Sequence, residues 1–191
     1  MSLSVRGGYP GFTLVELLIV IAVLAIGLTI AVPSMQEFLK NNRVAAQNNE
    51  LVALISLAKS QAIRRNEHWQ VRLDSDGFSW SGNVRPVLGE LDPAEDAGCP
   101  EISGAIRCSD FQGVRLLEED QSADNLIITF NNRGFVDPDS EVCTVDPDSE
   151  VCTSVQLVLE HRNCTGPRQK RQIVVLPTGQ ITSQQHPDPC S

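Results

Sequence analysis

Aromatic side chains are scarce in this 191-residue chain: they make up 5% of it, with one tyrosine and two tryptophans. Hydrophobic residues reach 41%, so a core can form, and it must rest mainly on aliphatic side chains. Basic residues are also in deficit. Fifteen Lys and Arg against 24 Asp and Glu leave a formal net charge of −9, which argues against a general nucleic-acid coat. No GxSxG, HExxH or phosphate-binding glycine loop occurs. His68, His161 and His186 stand isolated, and His68 beside Trp69 reads as a packing or surface residue rather than a base. There is no CxxC, and His161 and His186 are not at ligand spacing, so disulfides are favoured over a zinc site and neither a metal nor another cofactor is expected. These absences point to a non-enzyme, one domain with an appendage.

What is present begins at Phe12. The 21 residues to Val32 read FTLVELLIVIAVLAIGLTIAV and carry one charge, Glu16. As a helix they would span about 31 Å, close to the hydrocarbon thickness of a bilayer. The apolar part of a cleaved signal peptide is usually shorter and lacks a carboxylate. A retained membrane helix is therefore expected. Glu16 lies four residues into the run, where an ionised group is costly unless it snorkels to the headgroups or meets a cation.

The segment Gly11-Phe12-Thr13-Leu14-Val15-Glu16-Leu17-Leu18 resembles the prepilin peptidase site of type IV pilins and type II secretion pseudopilins. The resemblance implies a leader, residues 1–11, ending at Gly11 and carrying Arg6 as its one charge. It implies Phe12 as the mature, N-methylated N-terminus. It also implies Glu16 as the fifth mature residue, pairing with the amino group of Phe12 on a neighbouring subunit. Such a pair would neutralise a carboxylate in a low-dielectric bundle.

Pro33 follows the apolar run and is expected to kink the helix or restart it. An amphipathic helix then runs over 33–66, with Leu51, Leu54, Ile55, Ala58, Ala62 and Ile63 at helical spacing toward a sheet. Arg43, Val44 and Asn48 precede that face and are expected against other subunits or near the membrane. Beyond Asn66, residues 68–73, 78–80, 113–118, 126–130, 155–160 and 172–176 read as short strands bounded by Gly, Pro, Asp and Asn. Asn132-Arg133-Gly134 reads as a turn. The expected fold is α+β and type IV pilin-like: a long N-terminal helix, its first half membrane-spanning, packed on an antiparallel β-domain over 67–191.

Within the pilin families, three stretches resemble the FimT/FimU minor pilins and the GspH pseudopilins: residues 31–66, ITFNNRGFV (128–136) and IVVLPTGQI (173–181). The resemblance implies a minor pilin that assembles with other pilins into a type IV pilus, initiating or capping it. The alternative is a GspH-type pseudopilin of type II secretion.

Residues 136–144 and 145–153 are identical copies of VDPDSEVCT. Two nine-residue copies cannot stack a core, so an acidic surface loop is expected. Pro138 and Pro147 and the missing glycine turn depart from a calcium-binding loop. Cys99, Cys108, Cys143, Cys152, Cys164 and Cys190 form an even set that suits disulfides in an oxidising compartment. Cys99–Cys108 and Cys143–Cys152 share an eight-residue gap, and Cys164–Cys190 would tether the tail. The cysteines favour a periplasmic domain on a single-pass inner-membrane anchor; the charges, Arg6 on one side with Lys40, Arg43 and Glu37 on the other, do not decide the orientation.

Charge is uneven along the chain. Residues 90–153 carry 16 acids against three arginines, whereas 161–187 carry Arg162, Arg168, Lys170 and Arg171 and no acid. That basic loop could grip phosphates weakly and with strong salt dependence. Some FimT-like pilins bind DNA in natural transformation, but with arginines after the C-terminal glycine. Here Gly179 is followed by Gln180, Ile181 and Thr182.

Overall fold

The computed structural model describes residues 12–87, 105–118, 121–122, 126–138, 140, 144–145, 152–188 and 190. The chain divides into two units, Met1–Leu39 and Lys40–Ser191. One helix, α1 (Leu14–Arg65), runs through both. Thr13 opens it: its Oγ1 accepts the Glu16 N–H at 3.2 Å and its carbonyl accepts the Leu17 N–H. The helix continues through Pro33. It ends at Asn66, whose φ of 57° suits an asparagine cap, while the Glu67 N–H reaches back to the Ala62 carbonyl.

Ten strands follow among the described residues: β1 (Trp69–Asp76), β2 (Ser79–Pro86), β3 (Arg107–Gln112), β4 (Val114–Glu118), β5 (Gln121–Ser122), β6 (Leu126–Phe130), β7 (Thr144–Val145), β8 (Cys152–His161), β9 (Lys170–Val175) and β10 (Ile181–Gln185). They form two antiparallel sheets, ordered β3-β2-β1-β6 and β10-β9-β8-β4-β5, with β7 beside β8. The six sequence-expected strands fall in β1, β2, β4, β6, β8 and β9. Besides the two-residue β5 and β7, the sequence reading misses β3 and β10. Both sit at sheet edges, and their residues are mostly exposed or half-buried, so neither shows the alternation that marks a strand with one covered face.

A single core joins α1 to both sheets. Val44, Leu51, Leu54, Ile55, Ala58 and Ala62 pack with Trp69, Val71 and Leu73 of β1, Ile128 and Phe130 of β6, Leu157 and Leu159 of β8, and Ile173 and Val175 of β9. With Asn48 included, the helical stripe steps by four and three residues from Val44 to Ala62. Two expectations are corrected here. Val44 and Asn48 are buried within the domain, because they continue that stripe N-terminally. Ile63 is half exposed, because it lies one residue off the stripe and only edges against Gly134.

The turn after β6 and the turn after β9 meet. Gly134 (φ 81°) and Gly179 (φ 72°) both take left-handed backbone, and the Val136 N–H donates to the Pro177 carbonyl at 2.9 Å. A Cβ on Gly179 would overlap the Gly134 carbonyl oxygen, whereas one on Gly77 (φ 58°) would meet nothing within 4 Å. Gly179→Ala should therefore combine backbone strain with steric overlap and destabilise by about 2–5 kcal/mol. Gly77→Ala should lose only about 1–2 kcal/mol from strain. Denaturant midpoints of the two variants test this, and equal losses would remove the packing claim.

Candidate functional site

The described part of the first unit has no buried residue. From Phe12 to Leu39 every large apolar side chain is open, Phe12 at 81% and Leu14 at 74%. Among the described residues, α1 is the one helix long and apolar enough to cross a membrane. Gly11 lies outside the described residues. Phe12 precedes the cap, and Glu16 sits in the first helical turn with its backbone N–H held by Thr13. Thr13 escaped the sequence reading, although Thr-x-x-Glu before an apolar run is a capping spacing that could have revealed it.

From Lys40 onward, polar side chains tie the helix to the sheets. The Trp80 indole N–H donates to Gln47 Oε1 at 2.8 Å, and Gln47 Nε2 donates to the Gln112 carbonyl at 3.1 Å. Ser183 Oγ donates to Asn48 Oδ1 at 3.0 Å. Glu50 Oε1 accepts from Ser109 Oγ at 2.9 Å and from Arg107. Lys59 Nζ donates to the Gly179 carbonyl at 2.8 Å, beside the paired glycine turns. Each bond joins residues at least 33 positions apart, so periodicity gives no hint of them.

The four cations of the basic loop do not form one surface. Arg162 and Arg168 are exposed, but Lys170 is 9% exposed and sits opposite Glu160 in the β8–β9 register. Arg171 follows it on the other face of β9. Lys170 as an open phosphate contact is thus corrected: the strand that carries it turns it into a covered position. Arg162 instead stacks over Phe78, its Cζ 5.3 Å from the ring centroid, with Arg115 on the same ring at 5.8 Å. Arg115 also donates to the buried Glu160 carboxylate at 2.8 Å.

Lys40 adds a cation to this end of the domain, donating to the Asn163 carbonyl at 3.1 Å. His161 is buried beside it, and its Nδ1 accepts the Asn163 N–H at 3.0 Å. Burial, and then the charges of Lys40 and Arg43, hold its pKa below the ordinary 6.5.

Cys164 and Cys190 are joined by a disulfide, with Cα atoms 5.4 Å apart. Cys108 is also disulfide-bonded. Cys99, Cys143 and the side chain of Cys152 lie outside the described residues, as do most carboxylates of the nine-residue repeat; within it, Asp137 pairs with His68 at 3.9 Å. Glu160 lies near the sulfurs of Cys164 and Cys190, but bridged sulfurs are not thiolate ligands, so this trio does not fit a metal.

Residues 9–32 match the family described as "Prokaryotic N-terminal methylation motif". Residues 47–179 match "Type II transport protein GspH". No curated protein matches the chain. Two crystal structures of the type IV minor pilin FimU from Pseudomonas aeruginosa strain PAO1 are similar. The P21 form gives a TM-score of 0.50 at 17% identity, covering 78% of this chain and 92% of that one. The P65 form gives 0.48 at 16%, covering 75% and 96%. At such identity the likeness concerns the fold, a long N-terminal helix on antiparallel sheets.

The depressed pKa of His161 sets a sign for pH dependence. Just below pH 6.5 the unfolded chain takes up a proton at this position that the folded chain resists. Stability should fall as pH drops through that window. His161→Gln should flatten this part of the curve of unfolding free energy against pH; an unchanged slope would contradict the assignment.

Proposed function

The chain belongs to the family of type II transport protein GspH, and on that premise we propose that it is a minor pilin assembling through its N-terminal helix into a type IV pilus, where it initiates or caps the fibre. The observation that carries this reading is the open apolar helix, headed by a capped turn that holds Glu16, on a domain whose own core is complete without it. Such a helix needs a bilayer first and a bundle of like helices afterwards.

In this reading residues 1–11 are the leader, 12–32 the membrane span, 33–66 the amphipathic continuation and 67–191 the periplasmic β-domain with the acidic loop 136–153. Prepilin peptidase cuts after Gly11 and methylates Phe12. Glu16 then accepts the Phe12 amino group of a neighbour, so that neither charge enters the bundle unpaired. Pro33 cannot donate to the Thr29 carbonyl, which gives the helix a point at which to bend on packing. Partners are other minor and major pilins, and the role is structural rather than catalytic.

A second reading, a pseudopilin of type II secretion, is favoured by the description of the matching family. It uses the same processing and the same Glu16 pairing in another machine. DNA uptake draws less support, because Lys170 is covered and Arg171 faces away from it.

Co-expression with a prepilin peptidase, read by intact mass and N-terminal sequencing, tests the processing. The wild type should start at methylated Phe12, and Gly11→Ala should remain uncut. Glu16→Gln should be cut normally yet enter fibres at least about tenfold less, as expected when a buried charge loses its counter-charge. A wild-type chain left uncut by active peptidase would contradict the proposal.

A further inference from the structure

We propose that the end of the β-domain built around Lys40, Arg43 and Arg162 binds anionic phospholipid headgroups while the subunit waits in the membrane. The inference rests on the reading of Phe12–Val32 as a membrane span.

Three elements bring these cations together. Lys40 and Arg43 are successive surface positions of α1, one turn apart. Arg162 follows β8, and its backbone N–H donates to the Gly113 carbonyl at 3.1 Å. Gly113 (φ 81°) is also where Arg43 lies: a Cβ on it would fall 2.8 Å from Arg43 Nη1. Lys40 is bonded to the Asn163 carbonyl, next in the chain to Arg162. The Cys164–Cys190 disulfide follows directly and pins this loop. Arg43 and Arg162 are exposed, and the nearby acid Glu160 is already bonded to Arg115. Burial lowers the His161 pKa most, and the charges of Lys40 and Arg43 lower it further.

Two further observations select the partner. Lys40 follows Leu39 in the chain, and the exposed Met35, Phe38 and Leu39 stand between it and the apolar run, interleaved with Ser34, Gln36 and Glu37. The seven residues from Pro33 to Leu39 rise about 10 Å, little more than the depth of one headgroup layer. Lys40 and Arg43 follow on the next turn of α1, so chain connectivity limits how far they stand from the bilayer surface. Phe78, 37% exposed beneath the Arg162 guanidinium, adds an aromatic ring to the cations, the composition that favours a membrane–water interface.

The test uses the full chain in neutral sugar-detergent micelles. Retained phosphatidylglycerol and phosphatidylcholine are compared by native mass spectrometry over a lipid titration. The wild type should retain phosphatidylglycerol preferentially, and less so as salt rises. Each of Lys40→Gln, Arg43→Gln and Arg162→Gln should weaken that preference, by roughly fivefold for a cation near the surface. Arg43→Lys and Arg162→Lys should keep it, which separates charge from folding. A control that removes two positive charges at the far end of α1, Arg64→Gln with Arg65→Gln, should change nothing. Equal retention of the two lipids, or a preference untouched by the three Gln variants, would overturn the proposal. So would a DNA oligonucleotide that binds through the same three residues while neither lipid is preferred. A chain that fails to enter micelles would instead overturn the membrane-span reading beneath it.

Discussion

One helix meets two different surroundings, and the rest of the molecule depends on where its buried stripe begins. An α-helix satisfies its backbone hydrogen bonds internally, so the same element can stand in lipid or in a protein core. Side chains alone choose between them. From Phe12 to Val32 the apolar residues cover the whole circumference, and none of the residues from Phe12 to Leu39 is buried. From Val44 to Ala62 they narrow to one stripe, and both sheets close on it. The domain thus completes its core with the second half of the helix and leaves the first half for other partners.

Apolar packing holds the helix against the sheets without fixing how far it slides or turns. The polar bonds supply that register. Gln47 is clamped between Trp80 and the Gln112 carbonyl, Asn48 meets Ser183, and Glu50 meets Ser109 and Arg107. Lys59 closes the far end against Gly179, where two left-handed glycines bring the turns after β6 and β9 into contact. Buried or half-buried polar groups are costly when left unmade, so a shift of one residue would break several of these bonds together.

Much of this was legible in the sequence wherever burial is one-sided. The strands β1, β4, β6, β8 and β9 hold Val, Ile and Leu between turn residues, with alternation clearest in β8, and the turn glycine Gly134 was readable from Asn-Arg-Gly. The edge strands β3 and β10 were not, because a strand with little to bury shows no period. Ile63 was assigned to the buried stripe and Val44 and Asn48 were left off it, because an apolar residue near the stripe looks like part of it and a polar one on it does not. The basic loop shows the same limit in charge. Four cations close in sequence look like one patch, but the pleat of β9 sends Lys170 and Arg171 to opposite faces.

The sequence by itself determined the properties that depend on neighbours along the chain. These are an apolar helix of bilayer length, a Gly-Phe step with a spaced Glu16, and a series of strands around an aliphatic core. Only the tertiary structure decided which charges share a surface. Lys40 reaches the Asn163 carbonyl 123 residues away, and Arg43 lies against Gly113, whose carbonyl accepts the Arg162 N–H. Such meetings follow from strand order and turn geometry, for which local composition carries no code.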